Sequence, residues 1–560
     1  MSNESTLTGP LEASATQKIT SIDGQSFKKL TEASLIWLKS NQQIVNSLNV
    51  FPVPDGDTGT NMLLTMQAAY NEVINSTEEN IGKIAKDFAQ GALMGARGNS
   101  GVILSQIWRG FSRALDSLPS LNAELLVNAL TESRNTAYKG VVRPVEGTIL
   151  TVINDTAVAA RESAAKTDDL IKILEDCVAA ADVSVKNTPE LLPILKTAGV
   201  VDSGGKGLFY LLEGMLRYIK KLPLDGVAAN VQDISAMNLE DTLDEVEEGQ
   251  DVEVVIDFTP SSELNLDLFY QELSKMGTSI QVGEGDGMYR MHIHLEDGRQ
   301  QEPIDYVTSL GKWTKIAMEN LRVQMEERRS NKPVYELMPL EPGQIAVVVV
   351  SPGDGLSRIF ASLGVAAIIS GGQTMNPSTE EILKSFEDLP TDRIIILPNN
   401  KNIILAADTA KSLSVKDVQV VPSKNIAQGL SALLQLEPDG DLISVSEAMK
   451  TSINDVDCGE VTLATRTVEL DGIKVEEGKF IGLSNGKLVV SSKTIESTTL
   501  DLLKKMEVEK REHITIFYGS NITEAEIEKI AAKIKKTYPS LEIEIHEGGQ
   551  PHYFMILSVE

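Results

Sequence analysis

Two carboxylates flanking a glycine are the first candidates for chemistry. Pro54-Asp55-Gly56-Asp57-Thr58-Gly59-Thr60-Asn61 places Asp55 and Asp57 in a turn stiffened by proline. A hard divalent cation such as Mg²⁺ takes oxygen ligands, commonly one or two protein carboxylates completed by phosphate and water. Thr58 to Asn61 lead into an amphipathic stretch, so the exposed amides of a new helix are predicted to face a phosphate there, helped by the helix dipole. The bland reading is an acidic turn capping a helix, since Asp and Gly are common in turns. Alone, Asp-Gly-Asp favours the bland reading.

Three further segments shift that balance. Gly95-Ala-Arg-Gly-Asn-Ser-Gly101 interrupts two apolar helical stretches and can bring amides and the Asn99 and Ser100 side chains near a phosphate. Without context it reads equally well as a turn between helices. Pro144-Val-Glu-Gly-Thr148 precedes a long helix, and Gly199-Val-Val-Asp202-Ser-Gly-Gly-Lys-Gly207 opens another. Four such loops in one helical region are expected to gather at one end around a ligand. None is a Gly-x4-Gly-Lys-Ser/Thr phosphate loop, and the protein-kinase signature set is missing.

Those loops need helices to hold them. Apolar residues recur three and four apart over 29–48, 60–73, 81–91, 100–118, 123–138, 148–165, 167–185 and 206–220. An all-helical domain over 23–222 is predicted, after a polar tail, 1–22, expected to be disordered. Residues 223–250 are expected to be a linker, acid-dense over 238–250. In 251–332 the order is strand 252–258, helix 264–275, strands 279–284 and 290–295, helix 304–310 and strand 313–318. That order is the split βαβ of a small α+β, ferredoxin-like domain. Across 333–560, apolar strands at 345–350, 366–369, 393–397 and 418–421 alternate with helices, predicting an α/β domain with a parallel sheet covered on both faces. A strand-rich insert, 459–491, interrupts it, and elements at 514–518, 523–537, 542–547 and 553–559 close the chain.

The bulk properties narrow the partners. A chain of 560 residues is too long for one core and implies three or so domains. Lys and Arg number 51 against 80 Asp and Glu, a formal charge of −29, which argues against a nucleic-acid or anionic-membrane surface. A phosphate site must therefore use metal and backbone amides. The two cysteines, Cys177 and Cys458, have no metal-type spacing, and a reduced, cytoplasmic protein is the simplest expectation. The start lacks the pattern of a signal peptide, and the longest strongly apolar run, 345–350, is too short for a transmembrane segment.

On residues 51–62, 95–101 and 144–150 the first domain resembles the DhaL-type ATP-binding domain of dihydroxyacetone kinases. From about residue 23 to 560 the chain resembles the catalytic subunit of bacterial fatty acid kinase, and Gly371-Gly-Gln-Thr-Met-Asn-Pro-Ser378, Leu397-Pro-Asn-Asn400 and Gly548-Gly-Gln-Pro551 agree. The resemblance implies a DhaL-type helical barrel with ATP at one end and a DegV-like C-terminal domain suited to carrier docking. It implies Mg²⁺ on Asp55 and Asp57 and phosphate contacts from Thr58, Gly59, Thr60 and Asn61, with Asn99, Ser100, Gly101 and Thr148 nearby. Asp202, Ser203 and Gly204 would form the closing nucleotide loop, with Lys196 a weaker phosphate contact. DhaL-type sites use a third Asp upstream, where this chain offers Asn49. Thr58 stands where dihydroxyacetone-kinase subunits carry His, which favours the fatty-acid-kinase branch.

The reaction so implied is phosphoryl transfer from Mg²⁺-ATP to a fatty acid carboxylate presented by a DegV-type carrier protein. The acyl phosphate would feed phospholipid synthesis, and a homodimer through the middle domain is expected. Two alternatives stay open: a dihydroxyacetone-type kinase, which needs a substrate subunit holding the triose on a His, and an ATP-binding scaffold without chemistry.

His292-Ile-His294 holds two of the five histidines, and residues two apart on a strand share a face, so both imidazoles could meet zinc. Relatives of the fatty acid kinase type add a Cys from the first strand of that domain. The matching place here is Val255, with Asp257 as a substitute. The missing Cys favours two structural histidines over a zinc site.

Overall fold

Side-chain caps explain where most of the N-terminal helices begin. The computed structural model describes residues 18–49, 56–141, 143–224, 232–233, 251–262, 264–285, 288–320, 335–373, 375–464, 468–470 and 473–560. Ten helices precede residue 224 among them: α1 (Gly24–Ser40), α2 (Gln42–Ser47), α3 (Thr58–Val73), α4 (Ile81–Met94) and α5 (Gly98–Ala114), then α6 (Ala123–Lys139), α7 (Ile149–Ala164), α8 (Leu170–Leu191), α9 (Pro193–Ala198) and α10 (Ser203–Ile219). Asp23, Asn80, Asn122, Thr148, Asp169 and Asp202 each accept a backbone amide two or three residues ahead, starting α1, α4, α6, α7, α8 and α10. The single helix expected over 29–48 is two, broken at Asn41, whose side chain donates to the Trp37 carbonyl at 2.8 Å.

The helices share one apolar core. Phe27 stacks on Phe111 with centroids 5.5 Å apart, and Phe88 meets Trp108 edge-on at 4.9 Å. Residues 18–22, expected in the tail, pack against this core instead. Ser21–Ile22 pair with Leu121–Asn122, and Ile19 and Ile22 are buried. Those two apolar side chains hold the segment down together with the Ile19 backbone, whose carbonyl accepts from Leu170 N at 2.7 Å and whose N–H donates to Asp169 Oδ1 at 3.3 Å. Residues 1–17 lie outside the described residues.

Two compact units divide the chain: residues 1–225 with 335–560, and residues 226–334. Within the first, the C-terminal part carries a parallel sheet ordered Asp417–Val420, Arg393–Leu397, Ala346–Ser351, Ala367–Ser370. Ala346–Ser351 is buried at every position, which is why it reads as an unbroken apolar run. The insert does not merely interrupt this sheet. Its strands join the chain's last strands in a six-stranded mixed sheet, ordered Lys487–Ser492, Phe480–Ser484, Asp457–Leu463, Tyr553–Val559, His513–Tyr518, Glu542–Glu547. Ala96 and Val102, flanking the start of α5, are buried in one cluster with Ile382 and Phe386, so helical and α/β parts meet there.

The second unit has strands Val252–Pro260, Thr278–Gly285, Met288–Leu295 and Gly311–Asn320 and helices Leu266–Leu273 and Gln301–Leu310. From one edge the sheet runs Gln232–Asp233, Thr278–Gly285, Met288–Leu295, Val252–Pro260, Gly311–Asn320. Its last four strands pair antiparallel. Gln232–Asp233, expected in the linker, pairs parallel to the second strand. The acid-dense stretch 238–250 lies outside the described residues. Among the described residues no helix is long and apolar enough to cross a membrane.

Candidate nucleotide and metal site

Asp57 is the N-cap residue of α3, yet its carboxylate makes no capping hydrogen bond. Asn46 of α2 does that work: its Oδ1 accepts from Gly59 N at 2.7 Å and Thr60 N at 3.1 Å. Asn46 Nδ2 and Gln42 Nε2 also donate to Thr60 Oγ1, at 3.1 and 2.9 Å. A side chain on Gly59 would sit 2.4 Å from the Gln42 carbonyl, so glycine is what lets α2 and α3 approach. The Asp57 carboxylate, 6% exposed, is thereby kept from its own helix. Asn49 Nδ2 donates to Oδ1 at 3.3 Å, and Asn376 Nδ2, from the C-terminal part, donates to Oδ2 at 2.5 Å.

This corrects the expectation that the amides of Gly59, Thr60 and Asn61 stand open for phosphate. Asn46 holds the first two, and Asn61 N bonds the Asp57 carbonyl at 2.8 Å as the helix continues. Asp55 lies outside the described residues. Both flanking amides turn N–H groups to the carboxylate and orient it, and its two oxygens are hard donors of the kind that a divalent cation takes.

The starts of α5, α7 and α10 are linked to that of α3, directly or through one another. Ser203 Oγ donates to Thr58 Oγ1 at 3.1 Å, tying the start of α10 to that of α3. A Cβ on Gly204 would lie 3.4 Å from the Ile149 Cβ, so α7, capped by Thr148, begins against α10. Gly98, at φ +57°, faces the Asn61 side chain, and Gly101 faces Thr65, setting α5 on the first turns of α3. Asp202 caps α10 through Gly205 N at 2.6 Å. Burial pushes its pKa up to about 6, against the pull of that amide.

Two expected contacts go elsewhere. Lys196 is exposed and paired with Glu190 at 2.7 Å, so the structure does not bring it to the site. Asn99 is exposed and donates to Asn402 Oδ1 of the C-terminal part at 3.2 Å. Lys206 sits over the Phe209 and Tyr210 rings, 4.2 and 4.7 Å from their centroids. Residues the sequence reading missed are Asn46, Arg97 and Asn376. Arg97 donates to the Asn376 carbonyl at 3.0 Å and pairs with Glu381 at 3.2 Å. The signal for Asn376 was present in Gly371–Ser378, a segment whose residues carry no chemistry by spacing alone. In the same α/β part a cavity of about 70 Å³ has Gln373, Asn400, Glu460, His552 and Tyr553 among its lining residues. Burial there pushes Glu460 up to about 7, opposed by Lys401.

In the second unit, His292 and His294 are buried with Glu253, and one ligand atom from each lies within 4.8 Å of the others. His292 Nε2 is 3.0 Å from Glu253 Oε1. Burial, and to a lesser degree His292, pulls His294 down to about 4, against the pull of Glu253. Asp257 is not the substitute ligand: Arg290 grips both its oxygens at 2.6 and 2.7 Å. Two imidazoles and a carboxylate fit zinc.

Comparisons with known proteins add three family matches: the DAK2 domain over residues 52–217, and the FakA-like middle and C-terminal domains of fatty acid kinase over 248–328 and 346–560. An uncharacterized protein of Staphylococcus aureus strain USA300 is 39% identical over 549 residues, covering 97% of this chain and 100% of that protein. One from strain MRSA252 is 40% identical over 553 residues, with the same coverage of both chains. Among solved structures, a DegV family protein from Ruminococcus gnavus with vaccenic acid matches at 14% identity and TM-score 0.31, covering 39% of this chain and 100% of that one. The dihydroxyacetone kinase from C. freundii, in complex with AMP-PNP and Mg²⁺, matches at 18% identity and TM-score 0.28, over 39% of this chain and 38% of that one.

Proposed function

This chain belongs to the FakA-like family of fatty acid kinases, and from that membership we propose that it phosphorylates the carboxylate of a carrier-bound fatty acid with ATP. The observation that carries the reading is Asp57: it starts α3 but leaves the capping to Asn46, so its carboxylate serves something other than its helix. That supports a role for the carboxylate beyond a helix cap. In support, α3 starts against the starts of α5 and α10, and α10 starts against α7, all within the span that matches the DAK2 domain.

A fatty acid carboxylate is ionised near neutral pH, so its oxygen needs no general base. One carboxylate oxygen attacks the γ-phosphorus of ATP, the bond from that phosphorus to the bridging oxygen breaks, and acyl phosphate and ADP result with no net proton transfer. The difficulty is bringing two anions together, which positioning and charge stabilisation solve. Mg²⁺, when bound, supplies the screening charge; Asp57, with Asp55, would hold it, and Asn49 orients the Asp57 carboxylate. Ser203 and Thr58 join the two loops that close on the phosphates. The acyl chain comes on a DegV-type carrier, which docks on the C-terminal α/β part. The second unit, read as a ferredoxin-like module, pairs two chains and holds zinc on Glu253, His292 and His294. The protein is read as cytoplasmic.

Incubation with ATP, Mg²⁺ and a lipid-loaded DegV-type carrier, trapping acyl phosphate as the hydroxamate, tests this. The unaltered chain is expected to give hydroxamate, and Asp57→Asn to lose more than about a hundredfold of the rate with its circular dichroism unchanged. Full activity in Asp57→Asn ends the site assignment. Turnover with a triose-loaded substrate subunit instead favours the dihydroxyacetone-type reading, and nucleotide binding without turnover of either favours the scaffold.

A further inference from the structure

Asn376 reaches Asp57 from 319 positions away in the chain, off the loop between strand Ala367–Ser370 and helix Thr379–Glu387. The residue is 2% exposed. A carboxylate can accept only from N–H, so the contact with Asp57 Oδ2 fixes which end of the amide is which. The other end, Oδ1, is buried without a hydrogen-bond partner. An orphan acceptor of this kind costs about 1–3 kcal/mol, so its retention asks for a partner chemistry.

The loop is pinned in place around it. Arg97 holds the Asn376 carbonyl at 3.0 Å and Glu381 at 3.2 Å, and Thr379 N donates to the Ala96 carbonyl at 3.1 Å. A Cβ on Gly98 would fall 3.5 Å from Asn376 Nδ2 and 2.6 Å from Asn61 Nδ2, so glycine keeps that approach open. All but the approach of Gly98 to Asn61 join the C-terminal part to the start of α5. Their common effect is to hold the Asn376 amide against Asp57, its Nδ2 2.5 Å from the carboxylate and its partnerless Oδ1 at the other end of the same amide.

We propose that Asn376 belongs to the metal–nucleotide site: its Nδ2 positions Asp57, and its Oδ1 is a neutral oxygen ligand for the divalent cation that Asp57 holds. The C-terminal part is then a component of the phosphoryl-transfer site as well as the place where a carrier docks. This rests on the function proposed above, since it takes Asp57 to be a cation ligand. It assigns that cation a donor from a part of the chain outside the span that matches the DAK2 domain.

The test exchanges the two side chains in the full-length protein and measures Mn²⁺ binding by electron paramagnetic resonance, with and without AMP-PNP. Asp57→Asn alone is expected to lose Mn²⁺ binding, and Asn376→Ala to weaken it about tenfold. The double variant D57N/N376D keeps one acid and one amide face to face, so the interface survives. It is expected to recover Mn²⁺ affinity at least about tenfold over Asp57→Asn, because the carboxylate now sits at the other ligand position. A merely structural Asn376 would restore folding in that swap but not cation binding. The proposal is overturned if the swap binds no better than Asp57→Asn, or if Asn376→Ala binds as the parent does while Asp57→Asn does not. Parental Mn²⁺ binding in Asp57→Asn would overturn the Asp57 reading itself, and this inference with it.

Discussion

Glu253, Val255 and Asp257 share one face of a strand, and the register of the next strand decides what each can do. Val255 pairs with His292, Glu253 with His294, and Asp257 with Arg290. Arg290 therefore claims Asp257, while Glu253 is left to the two imidazoles. The period of two was legible in the sequence, and so was the pair of histidines. The register was not, because the carboxylate that fits is chosen by which residue stands opposite, a tertiary fact. The expected consequence is about one zinc ion per chain in the purified protein, read by plasma mass spectrometry. His292→Ala should remove it, and Glu253→Gln should lower occupancy or weaken zinc about ten- to a hundredfold. Zinc content equal in parent and His292→Ala would place the metal elsewhere.

Two short elements, α2 and the start of α3, act as one device. The helical periodicity over 29–48 runs through Asn41 without a break in apolar spacing, so a single helix was expected there. The bend at Asn41 is a local hydrogen-bond choice that spacing does not encode. Its effect is large: it lays α2 across the start of α3, where Asn46 takes the capping role from Asp57. The four helix-start loops were legible from their glycines and caps, and in the structure α3 starts against α5 and α10, and α10 against α7. Which amides remained for phosphate was hidden, because the cap comes from another helix. Asn46→Ala should cost about 1–2 kcal/mol and lower the melting temperature of the helical part by a few degrees. Asn46→Asp keeps the acceptor oxygen and should retain most of that stability. Calorimetry of the three proteins checks it, and an unchanged melting temperature in Asn46→Ala would mean that Asn46 carries no capping load.

At the scale of the whole molecule, residues hundreds of positions apart meet, and spacing rules have nothing to say about such meetings. Asp57 with Asn376 is the plainest case. The two-sheet construction of the C-terminal part is another: strands after residue 500 were readable one by one, while their partnership with the insert was not. The same limit applies to assembly. The strand Gly311–Asn320 lies at one edge of the second unit's sheet and is ten residues long. It leaves Trp313 49% and Met318 56% exposed. A long edge strand with exposed apolar side chains is a template for pairing with another chain, and twofold pairing of identical edges closes it off. The second unit is therefore expected to join two copies through this edge, with Trp313 as the anchor. Sedimentation velocity at micromolar concentration should show a dimer. Trp313→Glu, which puts a charge where the aromatic ring would be covered, should weaken it more than about tenfold. Asp57→Asn, remote in sequence and part of the other unit, should leave the dimer intact. A monomeric parent, or a Trp313→Glu protein as dimeric as the parent, would remove this edge from the assembly.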